Sequence, residues 1–345
     1  MQIQKITLMK ENRTQFLGYW LKRYLMEYLP TVKNLSINTI RSYRDAFRQL
    51  LPFVSKRLNK STDELRVTDI TDNVVIEYLY SVEAERHCSI QTRNQRLTAI
   101  HALAKYVGSR SPEHVDWCRT IRNIPKKKHE TEQITYLEKE EMDALLELPC
   151  KNSKQGWRDY VMLLFLYNTG ARVEEVANLR ICDLRLPTRN TEIPIVKIIG
   201  KGRKERRTPL WDITVKTLKT LIDGRDESDY VFLSRLQKPI SRFGIYEMVV
   251  KYGARLAESF PNTKEKRISP HTIRHTTATH LLQAGVDINT IRAWLGHVSV
   301  DTTNIYAEVN LEMKAKALKT TEIKGLSSNK KKWKDDSIMS FLESL

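Results

Sequence analysis

Arg172, Lys201, His271, Arg274, His297 and Tyr306 stand in that order over the second half of a 345-residue chain. Their types suit one chemistry. Arginine, lysine and histidine can gather positive charge around a phosphorus that takes on a fifth oxygen, and a tyrosine downstream supplies an oxygen to attack it. The densest stretch is Pro270-His271-Thr272-Ile273-Arg274-His275, followed by Leu295-Gly296-His297 and then Asn304-Ile305-Tyr306.

Read one at a time, these residues have plainer uses. His271 and Arg274 lie three apart, so on a helix both project from one face. Pro270 suits a helix start and places them near the positive end of the helix dipole, where anions bind. The same pair would also serve as capping residues on a surface helix. Lys201, between Gly200 and Gly202, can be lowered into a DNA groove from a flexible hairpin tip, or can simply decorate a turn. Arg172 follows Thr169-Gly170-Ala171, with Glu174 and Glu175 close enough to orient a guanidinium. His297 follows a glycine helix stop, and Tyr306 is one of fourteen tyrosines.

The elements that must position this set can be read from periodicity. A helix of buried pattern is expected over Arg158–Tyr167, stopped by Gly170 in the left-handed conformation, with another beginning near Arg172. Ile193–Ile199 and Arg206–Leu210 flank a glycine turn and read as a β-hairpin. Helices are expected over His271–Ala284 and Asp287–Leu295, with Gly285 between them and Gly296 as the stop, and a short one after Asp301. The first third of the chain is helical in pattern. Over Ser36–Val54, Ile40, Tyr43, Phe47, Leu50, Leu51 and Val54 form an apolar stripe, with Ser36 or Asn38 as N-cap and Pro52 expected to kink or stop the helix. Arg41, Arg44 and Arg48 form a second face. A helix over Thr92–Val107 carries Leu97, Ile100, Leu103, Ala104 and Val107 inward, with Arg93 and Arg96 near its start.

These elements divide the chain into a helical domain over 1–124, a basic linker over 125–134, a mixed domain over 135–325 and a tail over 326–345. The linker reads Pro125-Lys126-Lys127-Lys128-His129-Glu130-Thr131-Glu132-Gln133. The tail carries Lys330, Lys331, Lys332 and Lys334, then Ile338, Phe341, Leu342 and Leu345, a spacing suited to a docking helix. The expected fold class is mainly α with a small antiparallel β-sheet.

Lys+Arg 58 against Asp+Glu 41 gives a net charge of +17, which points to a polyanion partner through counterion release. No stretch approaches the roughly 20 apolar residues of a membrane span, and no signal-peptide pattern opens the chain, so a cytoplasmic, nucleoid-associated protein with no membrane partner is expected. Cys88, Cys118, Cys150 and Cys182 form no CxxC pair and read as reduced and structural. With no HExxH pattern, no protein-held metal and no other cofactor is expected.

In combination and order the motifs resemble the tyrosine recombinases, the family of phage integrases, Cre and the Xer recombinases. The matching words are Asn168-Thr169-Gly170-Ala171-Arg172-Val173-Glu174-Glu175, Ile199-Gly200-Lys201-Gly202-Arg203-Lys204-Glu205-Arg206, Ser269 to His275, Ala278-Thr279-His280-Leu281-Leu282, and Leu295-Gly296-His297 through Thr302-Thr303-Asn304-Ile305-Tyr306. The resemblance covers the second half closely and the N-terminal helices, as a SAM-like core-binding domain, more loosely. It implies a two-domain enzyme that cuts and rejoins DNA through a 3′-phosphotyrosyl intermediate and a Holliday junction. By the same resemblance Arg172 and Arg274 clamp the phosphate and Tyr306 attacks it. Lys201 protonates the leaving 5′-oxygen, His271 helps deprotonate Tyr306, His297 donates to a phosphate oxygen and Glu175 orients the pocket.

The family also implies double-stranded DNA target sites and a homo-tetramer on synapsed DNA, from a monomer or weak oligomer when free. Arg41, Arg44, Arg48, Arg93, Arg96, Arg203 and Lys204 are the candidates for further DNA contacts. Ala171 stands where Xer enzymes commonly have leucine, and Thr277 where an aromatic is frequent. The extra arm-binding domain of longer integrases is not evident. These departures favour a recombinase or transposase of a mobile element, with Xer-type chromosome or plasmid dimer resolution as the alternative. Three other readings remain, one of them a degenerate family member that binds DNA without cutting, against which stands the presence of every reacting residue. A helix-turn-helix regulator built on His275–Leu295 leaves Lys201 and Tyr306 without a purpose. A type IB topoisomerase shares the tyrosine chemistry but needs no synapsis.

Overall fold

In the computed structural model, residues 13–128, 134–187, 192–200, 202 and 204–296 are described. Lys201, Arg203, His297, Tyr306, the short helix expected after Asp301 and the tail lie outside the described residues. The chain forms two compact units, Met1–Glu132 and Gln133–Leu345.

The first unit is helical. Helix α1 (Leu17–Arg23) runs into a π-helical segment (Tyr24–Val32), followed by α2 (Ile37–Leu58), α3 (Asp72–Ala84), α4 (Ile90–Gly108) and α5 (Val115–Arg122). Hydroxyl caps start the three longest: the side chains of Ser36, Thr71 and Ser89 each accept a backbone N–H in the first turn. Trp20, Phe47, Leu50, Val54, Leu79, Leu97, Leu103 and Val107 fill the core. The π-helical segment was not foreseen from the sequence. Its Tyr24 and Tyr28 rings pack with Tyr106 at centroid distances of 5.0 and 4.7 Å.

Two expectations are narrowed in this unit. Of the kink or stop expected at Pro52, the stop does not occur: α2 continues to Leu58 and ends at Asn59 in the left-handed conformation. A helical proline is unfavourable by about 3 kcal/mol, but Leu50 and Val54 on either side of it are buried in the core, and their packing outweighs that loss. Arg93 does not face outward for DNA. It stands four and seven residues before Leu97 and Ile100, so it belongs to the apolar face and is only 6% exposed. Its Nη1 donates to the Pro125 carbonyl at 3.1 Å, and Glu83 lies 3.5 Å from its Nε.

The start of the basic stretch is bound down on the first unit. Asn94 donates to the Lys127 carbonyl and accepts from its backbone N–H, while Lys127 Nζ reaches Glu83 at 2.9 Å. Residues 125–128 carry no helix or strand.

The second unit is mainly helical around a small sheet. Helices α6 (Lys139–Glu147), α7 (Lys154–Thr169) and α8 (Val173–Ala177) precede strands β1 (Leu184–Arg185), β2 (Ile195–Ile199) and β3 (Glu205–Pro209). The strands lie in sequence order and pair antiparallel, with Val196 opposite Thr208 and Ile198 opposite Arg206. Helices α9 (Asp212–Ile222), α10 (Arg242–Ser259), α11 (Pro270–Gln283) and α12 (Ile288–Leu295) follow. The expected hairpin is present; β1 is too short to carry a period and was not foreseen. Phe165, Leu166, Val196, Ile198, Phe232, Val249, Leu256 and Ile273 form the main core, and Ala278, Leu282, Ile291 and Leu295 join α11 to α12. All four cysteines are free, although Cys150 and Cys182 are exposed rather than packed. Among the described residues no helix is long and apolar enough to cross a membrane.

Candidate active site

The site is assembled where several helix ends meet. Helix α11 starts where Pro270 places it, with Pro270 in the first turn, and Ser269 caps it by accepting from the Thr272 N–H. His271 follows in that turn and is exposed. Partial desolvation, with Arg274 and then Arg172 as neighbouring cations, holds its imidazole below the ordinary pKa. A neutral imidazole is the form that can accept a proton.

One turn on, Arg274 is 4% exposed. This excludes the reading of His271 and Arg274 as a capping pair on a surface helix. Its Nη1 donates to the Gly170 carbonyl at 2.5 Å and its Nη2 to the Leu295 carbonyl at 2.7 Å. Both acceptors sit at helix C-termini, those of α7 and α12, where the dipole favours a cation. Gly170 makes this meeting possible. It has φ +59°, which L side chains rarely adopt, and a Cβ there would lie 2.5 Å from Leu295 Cδ2, so a larger residue is strained and must push that side chain aside. Thr277 seals α11 to α7 by donating to the Tyr167 carbonyl at 2.8 Å. His275, beside Arg274, is pushed down to about 4 by desolvation first and then by His271 and Arg274.

Arg172 is the N-cap residue of α8. Its backbone N–H donates to Glu175 Oε2 at 2.8 Å and its Nη1 to Glu175 Oε1 at 3.1 Å. Of the two nearby acids it is Glu175, three residues on, that holds the guanidinium, as the resemblance implied, while Glu174 is exposed. The same carboxylate receives a second arginine from β3. Arg206 donates Nη1 and Nη2 to Oε1 and Oε2 at 3.0 and 2.7 Å, and its Nε to the Trp294 carbonyl at 2.9 Å. Burial alone would raise the Glu175 pKa, but the Arg206 hydrogen bonds, then the Arg172 backbone and charge, hold it below its ordinary value.

Arg172, Glu175, His271 and Arg274 are thus brought to one place. The residues just before Lys201 and His297 arrive there too: a Cβ on Gly200 would lie 3.1 Å from Glu175 Oε1, and one on Gly296 3.2 Å from Arg206 Cδ. Arg206 closes the Ile199–Arg206 motif, and the resemblance implies no role for it. Its signal was available, because alternation along β3 puts 206 and 208 on the inner face, where a charge needs a partner. Arg41, Arg44, Arg48 and Lys204 are exposed, with Arg44 paired to Asp45 at 2.7 Å; Arg96 is half-buried.

Comparison with known proteins agrees with this architecture. Residues 135–313 match the model of the phage integrase family, and residues 21–112 match its N-terminal SAM-like domain. A protein of Sinorhizobium fredii named as an integrase/recombinase (y4rC) is 37% identical over 328 residues, covering 94% of this chain and 97% of that one. The tyrosine recombinase XerC of Pelobacter propionicus is 30% identical, covering 83% and 89%. Among solved structures, XerH site-specific recombinase bound to a palindromic difH substrate superposes with a TM-score of 0.63 at 22% identity, covering 83% of this chain and 80% of that one. The Tn1549 transposon integrase in complex with transposon right end DNA gives 0.65 at 16%, covering 87% and 99%. The chain belongs to the phage integrase family, the tyrosine recombinases, enzymes that cleave and rejoin DNA.

Proposed function

We propose that this chain carries out site-specific strand exchange for a mobile DNA element, with Arg172, Lys201, His271, Arg274, His297 and Tyr306 as its reacting set. The Tyr306 oxygen bonds to phosphorus while the bond from phosphorus to the 5′-oxygen breaks. Lys201 gives that oxygen its proton, and the phosphate stays on the 3′ side as a phosphotyrosine. A 5′-hydroxyl from a partner strand then reverses the step, so no external energy source is needed.

One observation carries this assignment: Arg274, a buried arginine at the N-terminal side of α11, is held between two helix C-termini beside the Glu175-bound Arg172. Two fixed guanidinium groups suit a developing phosphorane charge better than mobile lysines would. With a phenol of pKa about 10, Tyr306 needs help losing its proton, and His271, kept below its ordinary pKa, supports that role.

The active assembly in this reading is a homo-tetramer on two synapsed double-stranded sites, formed in the cytoplasm from weakly associated chains. Residues 1–124 and 135–325 grip the DNA, residues 125–134 join them, and the tail over 326–345 docks on a neighbouring protomer. Ala171 and Thr277 support a mobile-element role over dimer resolution, because Xer enzymes commonly carry bulkier residues there.

The test is to purify the protein from its host under denaturing conditions and sequence any attached DNA, beside Tyr306→Phe. Covalent DNA on the wild type alone, with one recurrent junction, is the expected result. Equal DNA on both proteins would remove Tyr306 as the nucleophile. Deleting 330–345 is expected to weaken synapsis more than DNA binding, and unchanged recombination would exclude the docking role.

A further inference from the structure

We infer that Arg206 is a positioning residue for the cleavage reaction, acting on Arg172 through Glu175 and on the end of α12 through Trp294. The inference rests on the proposed role of Arg172 as a phosphate clamp.

Arg206 makes three hydrogen bonds with its guanidinium, two to both oxygens of Glu175 and one to the Trp294 carbonyl. Its side chain is 9% exposed and that of Glu175 5%, whereas that of Arg172 is 34% exposed. The buried pair is therefore Arg206–Glu175, and Arg172 is the member left open to a ligand. One carboxylate holds both cations, and the fully bidentate grip belongs to Arg206. Arg172 shares only Oε1 by its side chain, so part of its donor fork is left to turn toward a phosphate.

Removing Arg206 changes that balance. Glu175 would then be a buried carboxylate whose remaining cation among the described residues is Arg172, and the strongest pairing open between them is for Glu175 to take the whole guanidinium. The clamp would be drawn off the phosphate by its own orienting group. Arg206 also ties β3 to the last turn of α12, and the glycines at 200 and 296 leave room for this junction; a Cβ on Gly296 would lie 3.2 Å from Arg206 Cδ and Nη1. A Gly296 substitution is also strained by its φ of +66°.

The experiment uses the full-length protein and a nicked duplex carrying the junction recovered from host-bound DNA. Single-turnover formation of covalent DNA is measured alongside DNA affinity and thermal melting. Wild type and Arg172→Ala are run first: cleavage by the former and loss in the latter establish the clamp reading separately. Arg206→Met is then expected to cleave about 100-fold more slowly, the scale of a misplaced catalytic group, with affinity changed less than about twofold. Adding Glu175→Gln to Arg206→Met removes the competing charge and is expected to recover about tenfold of that loss. Arg206→Lys, which can meet Glu175 but not Trp294 as well, falls between wild type and Arg206→Met.

A residue that merely supports the fold would give the opposite sign, since a second change in the same network would deepen the defect. Wild-type cleavage by Arg206→Met, or a double variant no faster than the single, would overturn the inference. So would melting of both Arg206 variants at the assay temperature, which would make Arg206 a stability residue.

Discussion

The two units are built on different terms. In the first, the buried set is almost wholly apolar, with Ser81, Arg93, Ser111 and His114 as its buried polar residues among those described. In the second, α11 alone buries Thr272, Arg274, Thr276, Thr277 and Thr279. Each of four has a named partner: Thr272 donates to the Arg267 carbonyl, Thr276 accepts from the Leu137 N–H, Thr277 donates to the Tyr167 carbonyl, and Arg274 meets Gly170 and Leu295. Asp159, 2% exposed, is likewise satisfied by Arg158 and by Tyr252, whose phenol is pushed up to about 12 by burial and by that carboxylate. The first unit is held by volume, and the second by directed bonds wherever it must fix a group for chemistry. Volume tolerates substitution by similar volume, whereas a directed bond does not tolerate a similar shape lacking the right donors.

That contrast can be broken by substitution. Phe47→Ala should destabilise the first unit by about 4 kcal/mol, but Phe47→Leu by less than about 1.5 kcal/mol. In the second unit Arg274→Ala should cost about 3 kcal/mol, and Arg274→Lys, although it keeps the charge, still about 2 kcal/mol, because one ammonium cannot reach both carbonyls. Amide exchange resolved unit by unit reads both series. If Arg274→Lys were as mild as Phe47→Leu, the distinction between volume and directed bonds would fall.

Acid sharpens the comparison. The His275 pKa is pushed down to about 4 from an ordinary 6.5, so as pH falls through 6.5 the unfolded chain takes the proton first. The second unit should therefore lose stability between pH 6.5 and 4 and level off below, as far as this group is concerned. Glu175 adds a second loss lower down: its folded pKa is depressed, so its contribution is present above the unfolded value and disappears as pH falls through the folded one. His275→Gln should flatten the upper part of the profile in urea titrations at stepped pH. The smallest effects belong to the surface of the first unit. Arg41→Ala, Arg44→Ala and Arg48→Ala should each lower the salt slope of DNA binding by about 1, without altering melting. Arg93→Met should do the reverse, lowering stability while leaving the slope unchanged.

Where sequence reasoning succeeded, a local rule and the tertiary arrangement agreed. Glycine stops at Gly170 and Gly296, the hydroxyl cap at Ser36, the proline start at Pro270 and the β2–β3 hairpin need only a few neighbours along the chain. Glu175 was singled out from Glu174 by the family resemblance, and the N-cap geometry at Arg172 gives the physical reason for it. Failures came where a distant contact decided. Pro52 obeys the core around it rather than its own preference. Arg93 and Arg96 seemed one stripe, yet Arg93 shares a face with Leu97 and Ile100. Nothing near Arg274 in the sequence shows that α7 and α12 both end against it. The π-helical turn at Tyr24 packs against Tyr106, more than eighty positions away.

The pairing around the site has a consequence in charge. Carbonyl oxygens stabilise a cation without cancelling it, and Glu175 is one anion shared by two arginines. Among the described residues, Arg172, Arg206 and Arg274 are gathered around the single carboxylate of Glu175, so cations outnumber the anion there. A phosphodiester brings one negative charge, and an entering phenolate oxygen would bring a second. For the proposed reaction, in which Lys201 adds a further cation, the excess of positive charge suits the doubly charged moment of attack better than the singly charged resting strand.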